Sequence, residues 1–233
     1  MTGTLYGIGL GPGDPELMTL KAHRLIGACP VVAYPALEGG ESFARAIAAA
    51  AIPPGAREIV IAVPMTTARE PAQAAYDRAA EAIAAALDAG QDVAALCEGD
   101  PFFYGSFMYL FARLAGRFPV EVVPGVSSLT ACAGAAGKPL AARNEVLTVI
   151  PGPLPDDAIR ARAAAADSIA IMKVGRHLPR LRALLAEMGL LAAATYAERA
   201  TLGAEAVMPL AEAPDRAPYF SMILVTKGAD PWL

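Results

Sequence analysis

The chain has 233 residues, of which 55% are apolar and 18% charged, enough for one large domain or two small ones with a sizeable buried core. A formal net charge of −4 excludes the basic footprint of a nucleic-acid binder. The alanine-rich runs are too short to span a bilayer, and no basic segment followed by a long apolar stretch marks a secretory signal, so a cytoplasmic protein is expected. Cys29, Cys97 and Cys132 stand far apart among apolar neighbours, which predicts buried free thiols. His23 and His177 are isolated, and no metal site is expected.

In chain order, apolar β-rich runs alternate with helical patterns. Strands are predicted at 4–10, 31–35, 58–63, 92–98 and 120–124, with helices at 15–28, 42–51, 71–90 and 105–116 between them. The 71–90 stretch starts near Pro71, ends at Gly90 and is filled with strong helix formers. Near-continuous apolar strands joined by helices predict a mostly parallel sheet covered on both faces. The second half carries strand patterns at 147–152, 168–175, 193–199, 205–210 and 219–228, and helices at 127–137, 156–166 and 178–188. The last two strands have no helix-length segment between them. They are therefore expected to pair antiparallel and make the second sheet mixed. The predicted class is thus α/β with two lobes, 1–123 and 124–233, divided at the VPGVSS turn and facing each other across a cleft.

The first strand runs into GIGLGPGDPE (7–16), which looks like a phosphate loop. The spacing is wrong for one. A dinucleotide fingerprint needs glycine at its sixth place, where Pro12 or Asp14 stands, and Gly13 is followed by Asp14 and not by the Lys of a Walker loop. Pro12 and Pro15 lack an N–H, and Asp14 puts a carboxylate where an anion would sit. Asp14 reads as a helix N-cap with Pro15 at N1. CEGDPFFYG (97–105) repeats Gly-Asp-Pro after strand four. In open α/β sheets ligands bind outside the carboxyl ends of strands, so Asp14, Glu98 and Asp100 either cap helices or line a site for a cation or for hydroxyl groups.

These segments, with VVAYP (31–35), VVPGVSS (122–128), IMKVG (171–175) and YAERATL (196–202), resemble the tetrapyrrole methylases in order and spacing over nearly the whole chain. The opening and VVAYP are most similar to the branch acting on precorrin-2 at C-20. The resemblance implies the class III methyltransferase fold, a homodimer, and S-adenosylmethionine as methyl donor. It assigns cofactor contacts to Pro12, Glu98, Gly99, Asp100, Phe103, Ser127, Ser128, Met172 and Ala200. Members that methylate uroporphyrinogen carry an aspartate after strand two, where this chain has Pro35. That weakens a uroporphyrinogen assignment and removes an obvious general base. Asp14, Tyr34 and Arg143 are candidate substrate contacts, Arg143 through the carboxylates of the tetrapyrrole. A solvated surface arginine and an ordinary strand tyrosine are the alternatives.

The implied chemistry is in-line attack of an electron-rich meso carbon on the sulfonium methyl, followed by loss of a proton. The carbon is already nucleophilic, so no strong base or metal is required, and alignment alone can remove roughly 7–11 kcal/mol of barrier. Alternatives are a related methylase acting at another ring position, on the cobalt-containing ring or on the diphthine precursor of a translation factor, a dinucleotide-dependent reductase, or a non-catalytic binding domain.

Overall fold

The computed structural model describes residues 1–64 and 69–228. It divides into two compact units, Met1–Ser127 and Ser128–Leu233.

The first unit holds β1 (Leu5–Gly9), α1 (Leu20–Ala28), β2 (Val31–Leu37), α2 (Phe43–Ala48), β3 (Arg57–Val63), α3 (Arg69–Asp88), β4 (Val93–Cys97), α4 (Phe107–Leu114) and β5 (Val120–Val123). Its sheet, in the order β3-β2-β4-β1-β5, is parallel throughout. Alternating strand residues serve opposite faces. Ile8, Val32, Tyr34, Ala94 and Leu96 pack under α1 and α2. Leu5, Val31, Ala33, Ile59, Val93, Ala95 and Cys97 pack under α3 and α4. Each large aliphatic side chain so enclosed is worth about 1.5–3 kcal/mol. Helix-forming residues from Arg69 to Asp88 make α3 the longest described helix.

The predicted helix 15–28 is shorter than its pattern. Asp14 does cap a turn, accepting from the Glu16 N–H at 2.9 Å, but the turn is a single 3-10 segment, Pro15–Leu17. Met18 and Thr19 are extended, and α1 starts afresh with the Thr19 hydroxyl as its cap. Two capping signals five residues apart make two short elements.

The second unit holds α5 (Ser128–Ala136), β6 (Leu147–Pro151), α6 (Asp156–Ala164), β7 (Ser168–Met172), α7 (Leu178–Glu187), β8 (Ala194–Glu198), β9 (Ala206–Pro209) and β10 (Ser221–Thr226). The sheet is mixed, in the order β6-β7-β10-β8-β9. The expected antiparallel pair of the last two strands does not form. β10 lies between β7 and β8, antiparallel to both, and β9 pairs with β8. Burial explains the choice. Five consecutive buried residues, Ser221 to Val225, suit the sheet's centre, while β9 has no fully buried residue and suits an edge. Cys29, Cys97 and Cys132 are free and buried as expected. Burial pushes the Cys29 thiol up to about 12 and Cys132 to about 11, which leaves both unreactive. Among the described residues, no helix is long and apolar enough to cross a membrane.

Candidate active site

In the first unit the loops after β1, β4 and β5 converge at the carboxyl end of the sheet. Leu10 donates its N–H to the Cys97 carbonyl at 2.9 Å, and Gly11 and Gly99 then exchange N–H···O bonds of 3.2 and 2.7 Å in an antiparallel bridge. The two Gly-Asp-Pro turns singled out in the sequence are therefore physically paired. Both glycines have positive φ, 84° and 65°, where a side chain would strain the backbone. The third loop comes closer still. A Cβ on Gly125 would sit 2.1 Å from the Gly99 carbonyl oxygen, and one on Gly9 would sit 2.6 Å from the Gly125 nitrogen.

Asp100 staples this junction. Its Oδ1 accepts from the N–H groups of Phe102 (2.9 Å) and Phe103 (3.1 Å), and its Oδ2 accepts from the Gly125 N–H (3.1 Å). Its carboxylate thus joins the loop after β4 to the loop after β5. Around it, Pro12 is buried, and Glu98, Gly99, Phe103 and Ser127 are half-buried. Burial pushes the Glu98 carboxyl above the usual range, against backbone N–H bonding at Glu98 and Ala44.

In the second unit Met172 closes β7 and Ala200 follows β8. Because β10 is antiparallel to both strands, these two residues lie at the same end of the sheet. Their neighbours are strained: Lys173 (φ 57°), Arg199 (49°) and Thr201 (71°) are left-handed without being glycine. The remaining left-handed non-glycines among the described residues are Tyr104 (57°), next to Phe103, and Arg143 (46°). Such conformations cost of order 1–3 kcal/mol each and concentrate at ligand clamps and active sites. Four of the five adjoin residues assigned as cofactor contacts. Ser128 opens α5 and is half-buried.

Two candidate substrate contacts lie elsewhere. The Tyr34 hydroxyl, from within β2, donates to Glu58, which also holds Arg45 through bonds of 2.7 and 2.9 Å. Arg143 precedes β6, at the opposite end of the second sheet from Met172 and Ala200. Asp14 remains with the glycine junction, in its capping role. The Glu58–Arg45 pair went unnoticed in the sequence, because two charged residues thirteen apart carry no signal until β3 and α2 are placed side by side.

The arrangement is unfit for a phosphate. Pro12 and Pro15 lack N–H groups, and the carboxylates of Asp14 and Asp100 occupy turn N–H groups that an anion would need. It suits a donor with no phosphate and with a cationic centre. The sequence model of the tetrapyrrole (corrin/porphyrin) methylases matches residues 4–214.

The chain belongs to the tetrapyrrole methylases.

Among relatives of this methylase, a precorrin-2 C(20)-methyltransferase of Sinorhizobium sp is 45% identical, over 98% of this chain and 97% of its own length. A cobalt-precorrin-2 C(20)-methyltransferase of Salmonella typhimurium is 34% identical, covering 97% of this chain and 98% of the relative. Of solved structures, the uroporphyrin-III C-methyltransferase of Thermus thermophilus complexed with S-adenosylhomocysteine superposes with a TM-score of 0.67 at 27% identity, over 96% of this chain and 97% of the other. The α/β fold with a parallel first sheet and a mixed second sheet, expected from the strand pattern, is observed, and so is the methylase fold that the resemblance implied.

Proposed function

We propose that this methylase transfers the methyl group of S-adenosylmethionine to C-20 of precorrin-2, in the biosynthesis of cobalamin. The observation that carries the reading is end-to-end similarity, at 45% identity, to a methyltransferase of that specificity. The glycine junction adds physical support. It leaves open space beside Gly99, where backbone groups could meet a ligand at the strand ends, and it has no cradle for phosphate. The proposed donor contacts are Pro12, Glu98, Gly99, Asp100, Phe103 and Ser127 of the first unit, with Ser128, Met172 and Ala200 of the second. S-adenosylmethionine supplies an electrophilic methyl on a cationic sulfur. The chain's task is to align that methyl with the ring carbon and to exclude water. Gly99 and Gly125 offer backbone N–H and C=O groups, and the turns at Lys173, Arg199 and Thr201 hold Met172 and Ala200 in fixed poses. Rigid presentation of this kind is what makes alignment effective.

The protein acts in the cytoplasm as a homodimer; sedimentation of the purified chain checks the dimer. Incubation with precorrin-2 and methyl-labelled S-adenosylmethionine, with NMR location of the label, tests the activity. Label on C-20 is expected, and label on another ring carbon would move the chain to a sister activity. The similarity to the Salmonella protein favours a second arm with cobalt-precorrin-2 in the same assay. Faster turnover of that substrate would assign the metal-containing ring.

A further inference from the structure

The second unit gathers aromatic and cationic side chains at one end of its sheet, the end that carries Met172 and Ala200. β10 lies between β7 and β8 and runs antiparallel to both, so the segment entering β10 sits where the other two strands finish. Ser221 stands opposite Glu198, and one step outward the Arg199 N–H donates to the Phe220 carbonyl at 2.9 Å. Tyr219 is 83% exposed, more than any other aromatic among the described residues, and its ring meets that of Phe220 edge to face at 5.1 Å. Ser221 fixes this segment: its hydroxyl donates to the Pro218 carbonyl at 2.8 Å and its N–H to the Tyr219 carbonyl at 3.1 Å. A lone exposed ring would mean little, but this pair stands among cations.

Lys173 follows β7 and Arg199 follows β8, with β10 between them, which sets their backbones two strand spacings or about 10 Å apart. Both are exposed, and both are left-handed. Arg199 is anchored from below. The buried Tyr196 donates its hydroxyl to one Glu198 oxygen at 2.6 Å, and the other Glu198 oxygen accepts from Arg199 at 3.5 Å. That long bond is the only carboxylate contact of Arg199 among the described residues, so most of its N–H donors are left for a ligand. The nearby Glu205 carboxylate is engaged in shaping the turn, accepting from the Thr201 N–H at 2.7 Å. Arg176, in the helical turn Gly175–His177 just beyond Lys173, is exposed and has no carboxylate partner among the described residues. Arg180, by contrast, is bonded to Asp156 and to the Gly152 carbonyl. Glycine would hold the turns at Lys173 and Arg199 without strain. The strain is accepted in exchange for two cationic side chains that the backbone itself does not need.

We propose that this end of the second sheet grips the tetrapyrrole, with Tyr219 and Phe220 against the apolar ring and Lys173, Arg176 and Arg199 on the carboxylates of its rim, an assignment that rests on the function proposed above. Charge and shape agree. The substrate is a broad apolar ring edged with carboxylates, and a fixed aromatic pair edged with cations is its complement. Arginine takes a carboxylate in a planar fork, and lysine takes one as a point charge. Two such holds spaced across three strands fix the rotation of the ring in its plane, and rotation decides which ring carbon is offered to the methyl group. These residues bind and orient; no bond is made or broken on them.

The test uses the full chain, a Lys173→Asn/Arg199→Asn double variant, and the single variants Tyr219→Ala and Arg176→Gln. Asparagine tolerates the left-handed region, so the double variant loses the charges and keeps the turns. Its KM for precorrin-2 should rise about tenfold or more, the loss expected for charge-assisted hydrogen bonds, with kcat and the KM for S-adenosylmethionine changing far less. Added salt should raise the wild-type KM for precorrin-2, and the double variant should lose most of that salt dependence. Tyr219→Ala should raise the same KM about threefold or more with the salt dependence intact. A double variant whose KM for precorrin-2 stays within about twofold of wild type would overturn the assignment. So would a rise as large in the donor's KM, since the turns would then serve the donor. Should circular dichroism show the double variant unfolded, the exposed single variants decide: a raised KM for precorrin-2 in both supports the grip, and an unchanged one in either overturns it. If wild-type enzyme places no methyl at C-20, the proposed function itself falls, and this assignment with it; methyl at C-20 with unaltered variants sinks the assignment alone.

Discussion

The two units build the turns that carry the proposed donor contacts by different means. In the first, the turns after β1, β4 and β5 meet through glycine backbones: a Cβ on Gly9 or Gly125 would run into the backbone of the facing glycines, Gly99 takes a left-handed φ of 65°, and one carboxylate ties the loops together. In the second, the turns after β7 and β8 use lysine, arginine and threonine in left-handed conformations that glycine would adopt freely. A glycine turn gives close approach and presents no side chain. A strained polar turn keeps its side chain and accepts a cost of order 1–3 kcal/mol. The first unit therefore offers a backbone surface, and the second offers side chains on fixed stems.

Substitutions that exchange the two strategies test this contrast. The largest effect is expected from Gly125→Ala. Its new Cβ meets backbone and not a flexible side chain, so the cost should be about 3 kcal/mol, read by urea denaturation, with donor binding lost in calorimetry. Asp100→Asn comes next. It keeps an acceptor for Phe102 and Phe103 but turns an N–H donor toward that of Gly125. We expect a loss of about 2 kcal/mol and weaker donor binding, and Asp100→Ala should lose more of both. In the second unit the sign reverses: Lys173→Gly should stabilise by up to about 1 kcal/mol while slowing turnover. Destabilisation there would mean that the left-handed turn is not strained, and the contrast would fail.

The smallest effect concerns acid. Glu58 is bonded to Arg45 and Tyr34, and those bonds lower its carboxyl from 4.5 to about 2. A carboxyl lowered on folding stabilises above its unfolded value, so this contribution is intact above pH 4.5 and fades as pH falls toward 2. The pair is largely exposed, so the change is modest and screened by salt. Arg45→Ala should flatten the melting temperature across that window.

Strand positions were legible because burial on both faces leaves uninterrupted apolar runs, and the helices between them carry their own caps and glycine stops. Pairing was less so. SMILV at 221–225 reads as a central strand and AVMP at 206–209 as an edge, but which strands flank them depends on contacts distant in sequence. The turn at Asp100 was visible in Gly-Asp-Pro, since such residues start turns. Its bond to Gly125 was not, because it joins two loops twenty-five residues apart. The left-handed conformations at Lys173, Arg199 and Thr201 leave no mark in the sequence, as those residue types ordinarily avoid them.

The place of β10 has a consequence for biogenesis. Every strand of the first sheet has been synthesised by Val123, so that unit can close while the ribosome is still at work. The second sheet is held open as two separate pieces, β6 with β7 and β8 with β9, until Ser221–Thr226 emerges to join them. A message truncated shortly before that segment would yield one finished half and two unjoined strand pairs with bare edges, the kind of product that quality control meets as an aggregate.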